Sequence, residues 1–226
     1  MSLLETTKHF PDRESWDEDA TERDVLAQHH ALKTHYFANH GWRPAYGEPT
    51  ETRRISSEEH YTLADYTSHS FTLNHHLITG KVERGGDHYD DDYPENDDLA
   101  EHLGHVHRTL QSTMAKMPAA PNVIHAYSCV GKLHAADLEK TPVGSVHEAK
   151  AWISSSIHPQ QAEGFNRANH MIHFKIPRGS KVGAYLEGFS NCEGEHEFLI
   201  SHGTKWKKTG ESMSGAMKIH HLEPAE

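Results

Sequence analysis

Three short apolar-rich runs, each interrupted or closed by Gly, Pro or Ser, dominate the second half of this 226-residue chain. They cover residues 152–158 (WISSSIH), 171–180 (MIHFKIPRGS) and 195–206 (EHEFLISHGTKW). Runs of this length between turn-forming residues predict strands rather than helices. Side chains alternate along a strand, so Glu195 and Glu197 should project from one face, roughly 7 Å apart. Two carboxylates placed in that way repel each other unless water or positive charge stabilises them. An isolated Glu-x-Glu would equally suit an exposed edge strand.

The remaining patterns fill in the architecture. Ser56 with Glu59 three residues later makes a capping box that starts a helix running to about Thr67. A second helix follows through Phe71, Asn74, Leu77 and Ile78 and closes at Gly80, with Phe71 and Leu77 expected in the core. Leu99, Leu103, Val106, Leu110 and Met114 recur at helical spacing and are stopped by Pro118. Residues 122–131 read as a long core strand, 137–147 as a turn-rich connection and 157–165 as a short helix. Residues 181–186, 203–208 and 216–222 complete the strands. Together these predict an α+β fold: two packed, mostly antiparallel sheets with helices on the N-terminal side. Residues 56–226 form the expected domain. Residues 1–55 form a polar arm with one helix within 17–40, followed by a stretch containing Pro44, Gly47 and Pro49. That arm is a candidate for docking to a partner or covering the sheet.

Composition narrows the function classes. A net charge of −11 with only 35% apolar residues implies an acidic, well-solvated surface and argues against general nucleic-acid affinity. No run is long and apolar enough for a membrane span, and the first residues lack the apolar core of a signal peptide. The two cysteines, Cys129 and Cys192, provide no disulfide framework and suit a reducing compartment. The expected setting is therefore the cytoplasm, a phage particle, or a target cell into which the protein is delivered. The 23 histidines include His102 and His105 on one predicted helical face, but no third ligand joins them, so no metal site is expected. Residues 85–98 form an acidic loop without the spacing of a helix-loop-helix calcium site.

The series Ser154-Ser155-Ser156, Ile157, Pro159, Phe165, Ile176-Pro177-Arg178-Gly179, Glu195-His196-Glu197 and Gly203-Thr204-Lys205-Trp206 resembles the arginine-serine-glutamate class of mono-ADP-ribosyltransferases. That class includes clostridial actin-modifying toxins and phage-encoded transferases. The resemblance spans about residues 56–222 and implies NAD as co-substrate and a protein acceptor, with arginine as its modified side chain. Its terms give Glu197 the developing positive charge on the ribose and Glu195 the incoming nucleophile. Ser154 would order the pocket, Phe165 would lie under the nicotinamide, and Tyr66 and Asn74 would frame the dinucleotide. Phe189, exposed, and Glu187 would belong to the substrate-recognition loop. At the Tyr-Arg-Gly position this chain carries Tyr127, Ser128 and Cys129, so the phosphate-gripping Arg is replaced by a hydroxyl. Arg167 is the leading substitute, with Arg108 and Lys132 behind it. Two alternatives follow: an inert transferase fold used as a structural or binding component, and an NAD glycohydrolase.

Overall fold

Capping at Ser56 organises the helical layer of the computed structural model, which describes residues 18–38, 55–82, 96–166, 168–192 and 194–225. The Ser56 hydroxyl accepts from Glu59 N at 3.1 Å, and Glu59 Oε2 accepts from Ser56 N at 2.8 Å. This satisfies two amides at the start of helix α2 (Ser57–Thr79) that have no partner within the helix. Glu59 is buried, and its other oxygen accepts from Ser112 and Lys116 of helix α3 (Asn96–Lys116). One carboxylate thus caps α2 and ties it to its neighbour. The two helices expected between 56 and 80 are the two halves of α2, separated by the non-helical His69 (φ −128°, ψ 35°), and Gly80 ends the second in the left-handed conformation. Leu77 packs against the core as expected. Phe71, expected inside, is 63% exposed and stacks on His75. Apolar spacing marks the helix, but the kink decides which way the residues beyond it face.

Helix α1 (Glu18–Lys33) continues into a π-helical turn (Thr34–Ala38) and docks on the same core through Leu32 and Tyr36. Beyond it lie β1 (Ile124–Cys129), helix α4 (Lys132–Lys140), β2 (Val146–Glu148), β3 (Ile153–Ser156) and helix α5 (Pro159–Glu163). The chain finishes with β4 (His170–Ile176), β5 (Gly183–Tyr185), β6 (Glu197–Ile200), β7 (Lys205–Ser214) and β8 (Met217–Pro224). Part of the connection expected at 137–147 is therefore the end of α4.

The eight strands form one sheet in the order β2-β7-β8-β4-β1-β3-β6-β5, antiparallel throughout except for the β4–β8 pair. The two sheets expected from the sequence are parts of this sheet, five strands and three, joined at the single register pair Tyr127↔Ser156. One continuous core draws Phe174 and Trp206 from the first part, Phe198 to Ile200 from the second, and Leu63, Leu73, Leu99 and Leu103 from the helices. Among the described residues no helix is long and apolar enough to cross a membrane. No group of three or more His, Cys, Asp or Glu side chains among them is arranged to hold a metal ion. The acidic loop lies almost entirely outside the described residues, as does most of the 1–55 arm.

Candidate active site

The weakly paired seam between the two parts of the sheet opens a cavity of about 300 Å³. Its walls are Tyr127, Ser128 and Cys129 of β1, the three serines of β3, Gln161, Ala162 and Phe165 from α5 and its end, and Thr67 and Ser70 beside the α2 kink. Glu195 and Glu197 complete it. No Lys or Arg among the described residues lines this cavity.

The glutamates reach it by a route that strand alternation did not foresee. β6 begins at Glu197, while Glu195 sits in the preceding turn with its N–H directed to Cys192 O. His196 between them is in the left-handed region (φ 52°), which few non-glycine residues adopt. The shared face is therefore produced by a turn.

Glu197 is 4% exposed, and its Oε2 is buried without a hydrogen-bond partner among the described residues. Burial pushes its carboxyl up to about 7, the nearby Glu195 and Glu187 charges add to that, and the Ser154 hydroxyl beside it pulls the other way. Burial, then Glu187, also raises Glu195 above the usual carboxylate range. The site is thus a poorly solvated anion with no cation among its described lining residues, which would be stabilised by a hydroxyl donor or a developing positive charge.

Each serine of β3 has separate work. Ser155 Oγ donates to Phe198 O, and Ser156 Oγ donates to Glu195 O at 2.7 Å while accepting from His158 N at 3.0 Å. Ser154 stands beside Glu197, and its carbonyl accepts from Ser128 Oγ at 2.9 Å. Holding the glutamate segment falls to Ser155 and Ser156, for which the triple-Ser run was the visible signal. Ser128 is a tie between β1 and β3 at the cavity wall, which Tyr127 and Phe165 also line.

Four other expected site residues are not among those lining the cavity. Tyr66 is 2% exposed; its hydroxyl accepts from Asn74 Nδ2 at 2.9 Å, and Asn74 Oδ1 accepts from Trp152 N at 3.1 Å. Neither is among the lining residues: Asn74 braces the residue before β3, while the Tyr66 phenol stands next to Ser154 and Ser70 of the cavity wall and near the Glu197 charge. Phe189, expected to be exposed, is 3% exposed and packs in the core with its ring edge toward His60. An apolar ring beside a helix is stabilised by leaving water, which the loop's turn-rich sequence concealed. Glu187 accepts from Gly194 N at 2.8 Å and His196 N at 2.9 Å, stapling the loop shut with both oxygens. Arg167 lies outside the described residues. Arg108 and Lys132 are not among the lining residues.

A family model for the ADP-ribosyltransferase exoenzyme matches residues 39–219. Solved structures with the same fold include the Vis toxin from Vibrio splendidus, an ADP-ribosyltransferase, at 20% identity over 96% of this chain and 88% of that one, TM-score 0.62. Another is C3stau2 from S. aureus with NAD, at 14% identity, 89% and 96% coverage and TM-score 0.64. A third is exoenzyme S from Pseudomonas aeruginosa, in complex with human 14-3-3 protein beta and bound to carba-NAD, at 18% identity, 89% and 88% coverage and TM-score 0.60. The Vis enzyme is also matched in complex with agmatine. No curated protein sequence matches the chain.

Proposed function

Since this chain belongs to the ADP-ribosyltransferase exoenzyme family, we propose that it transfers ADP-ribose from NAD to an arginine side chain of a protein acceptor. The supporting observation is Glu197, whose buried, unpartnered Oε2 lines the cavity together with Glu195. The nicotinamide-ribose end of NAD fits this arrangement, because a ribose hydroxyl supplies the missing donor and Phe165 offers an apolar wall. For the diphosphate, Arg167 is the candidate contact.

Catalysis then follows from charge. Cleavage of the glycosidic C–N bond sends the electron pair to nicotinamide and leaves positive charge on the ribose. Glu197 stabilises that charge chiefly in the transition state, where it accelerates the reaction. Glu195, at the cavity and with a raised pKa, orients the guanidine and takes the proton released when its nitrogen bonds the ribose carbon. Agmatine in a structural relative is a small guanidine of the same chemical class as the proposed acceptor. Delivery into a target cell is the setting in which such modification acts on a foreign protein.

Glu197→Gln should depress both NAD hydrolysis and transfer to agmatine by on the order of 10²-fold or more. Glu195→Gln should lose transfer while slow hydrolysis persists; equal losses of both would remove the division of labour. A second reading is supported by the cavity's lack of a lining cation among the described residues: an inert fold retained for binding or structure. NAD titration separates the two. Ligand at a hundredfold its Kd should stabilise the protein by about 2.7 kcal/mol, less so in Arg167→Ala. No thermal shift at millimolar NAD favours the inert fold.

A further inference from the structure

His196, the central residue of Glu-x-Glu, is held in its left-handed conformation from several sides. Its N–H donates to Glu187 Oε2, and its carbonyl accepts from Ile157 N at 3.1 Å. Its Nδ1 lies 3.3 Å from the Tyr185 hydroxyl, and that hydroxyl lies 2.6 Å from His29 Nδ1. The His29 ring also meets the His196 ring edge to face at 4.9 Å, and the His158 ring stacks on that of His196 at 6.1 Å. His29 belongs to α1, which precedes the residues matched by the family model. A helix outside the matched span therefore reaches the turn that aims Glu195.

Resting on the transferase reading above, we propose that α1 is a positioning element of the active site: His29, through Tyr185, holds His196 so that Glu195 stays turned into the cavity beside Glu197. Of the two proton arrangements that satisfy both contacts, the one with Tyr185 donating to neutral His29 and accepting from His196 Nδ1–H also keeps that N–H near Glu187 Oε2, 3.8 Å away. Glu197 does not depend on this clamp, because β6 pairing with β3 at Ser156 fixes it. Glu195 has only its turn and the Ser156 hydroxyl. Loosening the clamp therefore disturbs acceptor orientation and spares cleavage of the dinucleotide.

The clamp also has a pH dependence. Glu22, His30 and Lys33 from α1, His158 after β3, Glu187 after β5 and His196 itself face this cluster. Burial, followed by the His196 charge, holds His29 below the usual histidine range, so it remains neutral and able to accept near neutral pH. Protonating it in acid removes that acceptor and reverses the link, so that Tyr185 must accept from His29 and can no longer accept from His196 in the same way.

The test compares His29→Ala, His29→Asn and Tyr185→Phe with wild type, reading agmatine transfer, NAD hydrolysis and hydrogen exchange at the His196 amide. Displacing a reacting group by about 1 Å is worth on the order of 10²-fold. Transfer should fall by that order in His29→Ala and Tyr185→Phe, with hydrolysis and the KM for NAD unchanged. The double variant should be no worse than either single one. His29→Asn, which keeps an acceptor near the Nδ1 position, should recover most transfer and flatten the acid limb of the transfer-to-hydrolysis ratio. Equal loss of both activities, additive losses, or unchanged transfer would overturn the proposal. If wild type has neither activity, the chemical reading has failed, and the clamp is judged by exchange alone. Faster exchange at His196 in His29→Ala upholds it, and unchanged exchange overturns it.

Discussion

Two buried charges at separate places on the sheet are treated in opposite ways. Lys208 on β7 is 1% exposed; its Nζ donates to Leu138 O, to Thr141 O at 2.8 Å and to Glu211 Oε1 at 2.6 Å. Glu211 in turn contacts Lys218 and His220, and its bond to Lys208, followed by that to Lys218, holds its carboxyl down at about 2. Glu197 is buried to a similar degree, yet one oxygen has no partner among the described residues, and its carboxyl is pushed up to about 7. A charge kept for stability is surrounded by groups that satisfy it. On the proposed transferase reading, the charge meant for chemistry is left short of a partner, and the fold bears that cost until a ligand arrives.

Breaking the paired end should give the largest effect. Lys208→Met removes the cation but leaves its buried acceptors, and should cost about 3 kcal/mol in denaturant unfolding. Adding Glu211→Leu should recover little of that loss, because Leu138 O and Thr141 O still lack their donor and the exposed Glu211 keeps Lys218 as a partner in the single variant. Any cost to NAD hydrolysis measured well below the unfolding midpoint would mean that the two ends are coupled.

The unpaired end should respond with the opposite sign. Glu197 has a folded pKa above its unfolded value of 4.5, so the folded protein holds this proton more tightly. The resulting destabilisation develops as pH rises from 4.5 toward 7 and is complete above that. Glu197→Gln should therefore be more stable than wild type at pH 8, by up to about 3 kcal/mol, and nearly equal to it at pH 4. Thermal unfolding across this range checks the sign. For Glu211, whose pKa is lowered, the contribution is instead present above pH 4.5 and lost as pH falls toward 2.

The smallest effect sharpens the contrast within the cavity wall. Ser128→Ala deletes the hydroxyl bond to Ser154 O and should cost about 1 kcal/mol, the net worth of one hydrogen bond. It should leave NAD affinity unchanged if the hydroxyl serves only as a strand tie. A drop in NAD affinity, read by the thermal shift, would instead give it a part in binding.

Much of the fold was legible because local chemistry encodes it. The capping box at Ser56 and Glu59, the stop at Gly80 and the stripe from Leu99 to Met114 all correspond to observed helix features. Turn residues likewise separated the runs that became β3, β4 and β6. The Glu-x-Glu pair was found as a pair and does line one cavity, but the reason differs: an extended strand was expected where His196 makes a turn. Phe189, expected to be exposed, was misplaced for a related reason: an aromatic in a turn-rich loop suits contact with a ligand, but its burial beside His60 depends on a helix distant in the chain.

The sequence alone determined the α+β class, the helix ends and the presence of paired carboxylates among serines, because caps, turns and periodicity act over a few residues. Tertiary structure alone decided that the two parts of the sheet meet at Tyr127 and Ser156, leaving a cavity there. It also decided that Glu197 loses its water while Glu211 gains two lysines, and that α1 reaches His196 through Tyr185. Desolvation and charge pairing depend on which distant segments converge, and that convergence is set by burial of the shared core rather than by any local pattern.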